Sequence, residues 1–432
     1  MKNTKLFQYV VTGIFIFCIV VGGILFATYR NKDTALTNIE ITLWGTLPND
    51  SFNAFVSRYF NDRDLKYTVN YIQKDANIFD QQLVEALASG VGPDAILLPE
   101  NLIVRYLNKI YPIPYTVLPE LTFKNTFVEE GELYLNNNGV MALPFSIDPL
   151  VMYWNRDIFN NAGITQPPAN WADIYNLVLK TTQKDAAKNI IRGAVALGEF
   201  RNVNNAKEIL SALFIQAGNP IISYDLDGTL ISNLKDDSGV DDSTAVLALK
   251  FFTNFSNPSR AEYTWNRSLP NSLTMFTNGD LAVYLGFASE FMIIKAKNPN
   301  LNFTVAPLPQ VASAKIKSTF GHMYGLAIMK NSKNPAGAYT VLTTLTSAEA
   351  VPFWKDIFNI PSARRDILQQ VEQSAIKTVF NNSAIMAKGW LDPNSQASNV
   401  IFQDMVELYT TGRASVEEAV ISASDKLDLL LK

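Results

Sequence analysis

The sequence holds one cysteine and one histidine among 432 residues. The cysteine, Cys18, sits inside an apolar run near the N-terminus, so the rest of the chain can form no disulfide. Hydrophobic residues make up 48% of the chain, and a core of that size needs no disulfide support. Zinc sites draw on histidine and cysteine ligands. The two counts therefore leave no zinc centre, and no cofactor is expected. A basic block is also missing. With a net charge of −4, nucleic acid is not an expected partner. No Gly-x-Ser-x-Gly elbow accompanies His322, which removes the usual hydrolase arrangement. By itself His322 reads as a surface or packed residue. There is no P-loop, and Gly90-Val-Gly92 runs into Pro93 without a third glycine to open a helix, so a dinucleotide loop is not supported. Solenoid repeats and long low-complexity tracts are absent as well.

What is present begins with the first thirty residues. Lys2 and Lys5 precede an uncharged stretch from Tyr9 to Tyr29, and Arg30 and Lys32 follow it. A helix of about 20 apolar residues spans a bilayer core. Cleaved signal peptides carry a shorter core of roughly 7–15 residues and a small-x-small site, and no Ala-x-Ala follows here. Residues 9–29 are thus expected to be an uncleaved membrane anchor, with 1–38 as anchor and linker. The leading lysines favour the N-terminus inside and the remainder on the extracytoplasmic face. Phe15-Ile16-Phe17 is bulky where a lipoprotein signal has small residues, so Cys18 reads as a membrane-embedded apolar residue.

Past the linker the chain alternates strands and helices. Ile39 to Trp44 alternates as a strand does. Phe52, Phe55, Val56, Tyr59 and Phe60 recur at helical spacing. Tyr67 to Ile72 is a second strand. Asn77 is placed to cap a helix carrying Phe79, Leu83 and Leu87, which stops at Gly90. Ala95 to Leu98 is a third strand. This order predicts an α/β fold with parallel strands and helical crossovers. Val140 to Pro144 and Leu150 to Trp154 read as two further apolar runs separated by Phe145–Pro149. Asn170 is placed to cap a helix starting at Trp171. Helices are expected over 205–217, 241–256 and 287–297, with strands over 281–285, 302–306 and 324–329. A helix begins at Asn334-Pro335-Ala336, with proline in the first turn. Ser415 and Glu418 form a capping box for the last helix.

Two features invite a functional reading. Asp225-Leu-Asp227-Gly-Thr resembles the nucleophile loop of haloacid-dehalogenase-type phosphatases, in which the first aspartate attacks phosphorus. Such enzymes need magnesium held by later carboxylates, and Gly279-Asp280 is followed by Leu-Ala-Val-Tyr, with no second acid. A turn between two short strands accounts for the same residues. The second feature is aromatic. Trp44, Trp154, Trp171, Trp265, Trp354 and Trp390 lie beyond the anchor, and most large aromatics are core. Trp44 stands out because it ends the first strand. In open α/β sheets, ligands sit outside such ends.

The order of motifs resembles a known family. Pro144-Phe-Ser-Ile-Asp-Pro-Leu-Val-Met-Tyr-Trp-Asn155, Arg156-Asp-Ile-Phe159, Ala162-Gly163, Pro167-Pro168 and Asn170-Trp171-Ala-Asp173 are similar to the extracellular solute-binding proteins of ABC importers, family 1, the sugar-binding type. Leu43-Trp44-Gly45, Gly92-Pro-Asp-Ala-Ile96, Phe276–Val283, Gly286-Phe287, Gly325-Leu-Ala-Ile328, Ile360-Pro-Ser362 and Thr411–Ala419 fall in the family's order. The resemblance implies a two-lobed periplasmic-binding-protein-like fold of type II with a hinge. One lobe would comprise 39–147 plus 308–361, and the other 148–307 plus 362–432. It implies a monomeric, non-enzymatic binding protein for a small solute of carbohydrate type, working with an ABC transporter permease. A solute sensor serving a receptor is a further alternative. The match points to Trp44, Thr46, Glu100, Asn101, Asp148, Gln216, Phe287 and Tyr324 as ligand-binding residues. A carboxylate such as Asp148 can accept two sugar hydroxyls. Leu98 and Ala288 depart from the tryptophans that sugar binders often carry there, which leaves the sugar unidentified.

Overall fold

The computed structural model describes residues 39–62, 67–235, 243–312, 314 and 316–432. The expected anchor at residues 9–29 lies outside them. Among the described residues, no helix is long and apolar enough to cross a membrane.

The strands used below are β1 (Ile39–Gly45), β2 (Tyr67–Gln73), β3 (Ala95–Pro99), β4 (Leu143–Asn155), β5 (Ile190–Val195), β6 (Ile222–Tyr224), β7 (Leu230–Ser232), β8 (Leu281–Phe287), β9 (Phe303–Pro307), β10 (Thr319–Ile328) and β11 (Ala387–Lys388). The helices are α1 (Asn49–Asp62), α2 (Phe79–Ala88), α3 (Asp173–Thr181), α4 (Ala206–Gln216), α5 (Thr244–Asn254), α6 (Glu290–Lys297), α7 (Pro335–Leu345), α8 (Val351–Phe358), α9 (Ala375–Ile385), α10 (Ser395–Thr410) and α11 (Val416–Leu431).

One continuous sheet runs in the order β2-β1-β3-β10-β4-β8-β5. β1 pairs parallel with β2 and β3, as the strand–helix–strand order of the sequence requires. β8 pairs parallel with β5. The strands between them, β10 and β4, pair antiparallel with their neighbours. The two apolar runs expected around Phe145–Pro149 are in fact a single strand, β4. Its first half pairs with β10, and its second half with β8 and β9. Pro149 survives inside it because its carbonyl, the one backbone group it can offer, accepts the N–H of Ala288 at 3.0 Å.

Two hydrophobic cores flank this sheet. The first holds Ile41, Leu43, Phe52, Leu97, Phe145, Ile147, Met323, Leu326 and Trp354. Phe52 of α1 stacks on Tyr71 at 4.1 Å, and Phe145 stacks on Trp354 of α8 at 4.4 Å. The second holds Leu150, Tyr153, Trp171, Phe214, Trp265, Phe276, Phe287, Trp390 and Phe402. The chain passes from one core to the other along β4 and again between Leu308 and Met323. Ala363, Leu368, Ala384 and Ala387 pack in the first core and Phe380 in the second, so α9 touches both. Residues 361–363 run beside β4, with Ile147 N–H on Pro361 O at 3.0 Å and Ala363 N–H on Phe145 O at 3.2 Å.

Several helix starts follow the residues that signalled them, and two do not. Asn334 accepts the N–H of Gly337, and the Ser415–Glu418 capping box is formed. Asn77 does not cap α2, whose first residue follows Ile78 without a side-chain cap. The Asn77 side chain instead turns to Asp75. Asn170 does not cap α3 either. The Asp173 carboxylate reaches back to the Asn170 N–H at 3.0 Å. The 287–297 helix starts later, at Glu290, because β8 extends to Phe287.

A buried ion pair ties α4 to the segment entering α10. Lys207 Nζ lies 2.9 Å from Asp392 Oδ2, and both side chains are almost wholly buried. Asp392 also accepts from Ser398 Oγ at 2.7 Å and Asn394 N–H at 3.0 Å. Removing one partner of such a pair leaves an uncompensated buried charge, which costs about 3–5 kcal/mol. Asp392→Ala should therefore lose that much in urea unfolding, and Asp392→Ala with Lys207→Met should recover part of it. A loss below about 1 kcal/mol, the usual scale of surface pairs, would contradict the structural role.

Candidate functional site

Where the two cores meet, β4 and β10 set His322 opposite Asp148 and Tyr324 opposite Ser146. Opposed residues share a face of a sheet, and so do residues two apart on one strand. Ser146, Asp148, His322 and Tyr324 therefore share one face. β3 ends beside Tyr324 at Pro99, and the next residue is Glu100. Glu100 is 2% exposed. Its Oε2 accepts the Met323 N–H at 3.0 Å, and its Oε1 meets His322 Nδ1 at 2.7 Å. The other ring nitrogen, Nε2, faces Glu208 of α4 at 4.0 Å. His322 thus stands between a carboxylate following β3 in the first half and one on a helix of the second.

The second half completes the surroundings. Phe287 ends β8 with its ring 4.6 Å from the imidazole, and Phe320 meets the same imidazole edge-on at 5.2 Å. Asp148 Oδ1 accepts the Ser289 N–H at 3.0 Å. Glu290 Oε1 accepts from the Phe287 N–H at 3.0 Å and Asn205 Nδ2 at 2.8 Å, and the Tyr284 hydroxyl holds its other oxygen. Asn205 precedes α4 with φ 59°, a left-handed conformation that asparagine tolerates better than most residues.

These contacts move protonation equilibria. Burial pulls the His322 pKa down, but the charge and hydrogen bond of Glu100, with Glu208 and Asp148 behind it, outweigh burial and raise it to about 9. Burial pushes Asp148 up to about 6 against the Ser289 hydrogen bonds and the His322 charge. Tyr324 is raised by burial and by the Glu100 and Asp148 charges. Near neutrality the site holds an imidazolium among carboxylates. Such a group of donors and acceptors beside an aromatic face suits a hydroxyl-bearing ligand.

Of the residues expected from sequence, the structure brings Glu100, Asp148, Phe287 and Tyr324 together around His322. Asn101 follows Glu100 and is half-buried. Thr46, also half-buried, follows β1. Trp44 is level with Ile96, while Tyr324 is level with Pro99. Alternation along β3 therefore puts Trp44 and Tyr324 on opposite faces. Lys74 Nζ lies 3.7 Å from the centre of the Trp44 ring. Gln216 lies at the far end of α4, and its amide is already engaged. Oε1 accepts from Trp171 Nε1 at 2.7 Å, while Nε2 donates to Pro309 O at 3.1 Å and Ser318 O at 2.7 Å.

Sequence reasoning passed over His322, Glu208 and Glu290. The spacing of His322 and Tyr324 on a strand was the available signal for the first. Nothing local marked the other two. Asp225 sits in the turn of the β6–β7 hairpin, where its Oδ1 accepts the N–H groups of Asp227 at 3.0 Å and Thr229 at 2.8 Å. Among the described residues, no group of three or more histidine, cysteine or acidic side chains is placed to hold a metal ion. The phosphatase alternative gains no support from this geometry.

The family model for bacterial extracellular solute-binding proteins matches residues 45–352. A putative binding protein of Brucella abortus (strain 2308) is 23% identical over 399 residues, which cover 87% of this chain and 89% of that protein. Among solved structures, a cyclo/maltodextrin-binding protein complexed with maltotetraose superposes with a TM-score of 0.73 at 16% identity, covering 90% of this chain and 97% of that one. The sugar-binding protein MalE of Xanthomonas citri gives 0.73 at 18% identity, covering 91% and 97%. An ABC transporter solute-binding protein from Thermotoga lettingae, bound with α-D-tagatose, gives 0.67 at 19% identity, covering 91% and 100%. The likeness extends over both halves, so the fold is the two-lobed α/β architecture of solute-binding proteins.

His322 is the one histidine of the chain, so its ring signals are unambiguous by NMR. They should titrate near pH 9, and Glu100→Gln should bring the midpoint to about 6.5, the ordinary value, or below. The folded state holds this proton more tightly than the unfolded state does. Its stabilising contribution is therefore complete below pH ~6.5 and is lost as pH rises through about 9. Unfolding free energy of the wild type should fall across that window, and that of Glu100→Gln should fall less. A wild-type midpoint at or below 6.5 would disprove the His322–Glu100 interaction.

Proposed function

The chain belongs to the bacterial extracellular solute-binding protein family, and we propose that it captures a carbohydrate-like solute at the junction of its two lobes and delivers it to an ABC transporter permease. The observation that carries this is the His322 group. Glu100 comes from one side, Glu208 and Phe287 from the other, and Asp148 from the crossing strand, and they converge where β4 and β10 cross between the cores. A sugar offers hydroxyls to such carboxylates and an apolar ring face to Phe287. Maltotetraose and tagatose in the structural relatives support the ligand class.

Binding works here by population shift. A solute that touches both lobes only when they are close favours the closed state by its extra contacts there. The hinge is placed where β4, the stretch from Leu308 to Met323 and the segment about Pro361 pass between the lobes. We assign the lobes to 39–147 plus 308–361 and 148–307 plus 362–432, with Ala363, Leu368, Ala384 and Ala387 packing back on the first core and Leu308 and Phe320 on the second. Thr46 and Asn101 are assigned to the rim of the site and Tyr324 to its wall, whereas Trp44, buried on the opposite face from Tyr324, is left outside it. The protein acts as a monomer without a cofactor. Residues 9–29 hold it on the extracytoplasmic face of the membrane, which keeps its local concentration high beside the permease.

A thermal-shift screen of the full chain against sugars, oligosaccharides and polyols tests the ligand class. A ligand at a hundred times its Kd stabilises the folded state by about 2.7 kcal/mol, so a true ligand raises Tm visibly. Asp148→Ala and Phe287→Ala should each abolish the shift while the protein stays folded. A screen in which no saccharide stabilises the protein would remove the carbohydrate assignment and leave the fold standing. Anchoring is tested separately. The intact chain should sediment with membranes and keep its N-terminus by mass spectrometry. A soluble product beginning after residue 29 would show that the segment is a cleaved signal.

A further inference from the structure

The charges around His322 decide which solutes the site admits, an inference that rests on the binding reading above. Glu100 and Glu208 face the two ring nitrogens at 2.7 and 4.0 Å. Asp148 lies opposite on β4, and Glu290 adjoins it through Ser289. The carboxylates differ in what they have left to offer. Both Glu100 oxygens are engaged, and Glu290 is held by Tyr284, Asn205 and the Phe287 N–H. Glu208 makes no closer polar contact than its 4.0 Å approach to His322 among the described residues.

The nearby cations do not restore balance. Lys207, beside Glu208 in sequence, is turned to Asp392 at 2.9 Å. Lys74 lies on the Trp44 ring, which strand register puts on the opposite face from Tyr324. His322 therefore faces a surplus of carboxylates in partly desolvated surroundings, where charges are screened less than in water.

A second observation marks the same face. Ser146, two residues before Asp148 on β4, is fully buried and its hydroxyl has no hydrogen-bond partner. A serine hydroxyl can donate or accept. The polar groups offered to a ligand are thus mainly acceptors with a net negative charge. Specificity of this kind comes as much from repelling the wrong solute as from attracting the right one.

We propose that the site admits neutral and amine-bearing saccharides and rejects anionic ones, both uronic acids and sugar phosphates, with Glu208 and Asp148 as the carboxylates that meet a ligand amine or hydroxyl. A ligand ammonium brings three donors to these acceptors. A ligand carboxylate or phosphate brings a like charge.

Calorimetric titration of the full chain at pH 7.4 and low salt tests this with D-glucose, D-galactose and D-mannose, each beside its 2-amino and its uronic acid form. At least one sugar should bind in its neutral and amine forms, with the amine at least as tight and the uronate at least tenfold weaker. Glu208→Gln should narrow the amine-to-uronate ratio about tenfold. One molar salt should narrow it in the wild type too, which keeps the test decisive if the variant does not fold. A uronate that binds as tightly as its neutral parent would overturn this charge rule and leave the carbohydrate reading intact. Binding by none of these sugars would also overturn it. The broader reading would then stand or fall on the oligosaccharide screen.

Discussion

β4 is hydrogen-bonded at its start to one lobe's sheet and at its end to the other's, and the site depends on that arrangement. Leu143 to Pro149 face β10, and Leu150 to Asn155 face β8 and β9. A strand buried on both faces reads as a near-continuous apolar run, and nearly every residue of Leu143–Asn155 is buried. Asp148 interrupts that run at the point where the strand changes partners. Burying a carboxylate there is costly unless it is hydrogen-bonded. The Ser289 N–H and the imidazolium of His322 offset part of that cost. The place where the strand leaves one core for the other is therefore also the place where it can carry charge.

The same logic explains why the acidic residues around His322 are tied down. An unpaired buried polar group is expensive, and a fully connected network specifies one arrangement. Glu100 spans a backbone N–H and a ring nitrogen, and Glu290 holds the turn after β8 by three donors. The aromatic contacts of His322 with Phe287 and Phe320 fix the ring from the apolar side. What remains free to adapt is the 4.0 Å separation from Glu208. That separation is longer than a hydrogen bond, and it crosses from β10 to a helix of the second core.

Much of this architecture was legible in the sequence, because local rules and the fold agree. The strands at 39–45, 67–73 and 95–99, the proline-started α7 and the capping box of α11 follow their residue patterns. The failures have identifiable causes. Phe145–Pro149 looked like a break because proline and aspartate usually mark turns. Strand pairing on both edges overrides that preference. Asn77 and Asn170 looked like caps by position, but nearby aspartates captured them or replaced them. Glu208 and Glu290 carried no local signal at all. They matter through neighbours 114 and 32 residues away in the chain, His322 in both cases by way of the surrounding network. Gln216 shows the reverse: a polar residue ending a largely buried helix reads as available until its amide is found clamping residues 309–318.

Glu130 shows how far the fold goes to keep β10 in place. Its side chain is buried with neither oxygen hydrogen-bonded, and burial followed by the Glu100 charge raises its pKa well above the usual carboxylate range. Burial thus favours its uncharged form. A Cβ on Gly321 would lie 2.8 Å from one of its oxygens, and a Cβ on Gly389 would lie 2.9 Å from the other. Glycine at both positions lets the start of β10 and the chain after β11 approach Glu130 closely. Gly321 is the residue before His322. The packing that seats Gly321 against the first lobe therefore also fixes where His322 emerges on the other face, since successive side chains of a strand alternate. Ionising Glu130 would place a second buried negative charge near Glu100. The same burial that disfavours the charged form of Glu130 therefore keeps a competing carboxylate away from Glu100, which serves His322.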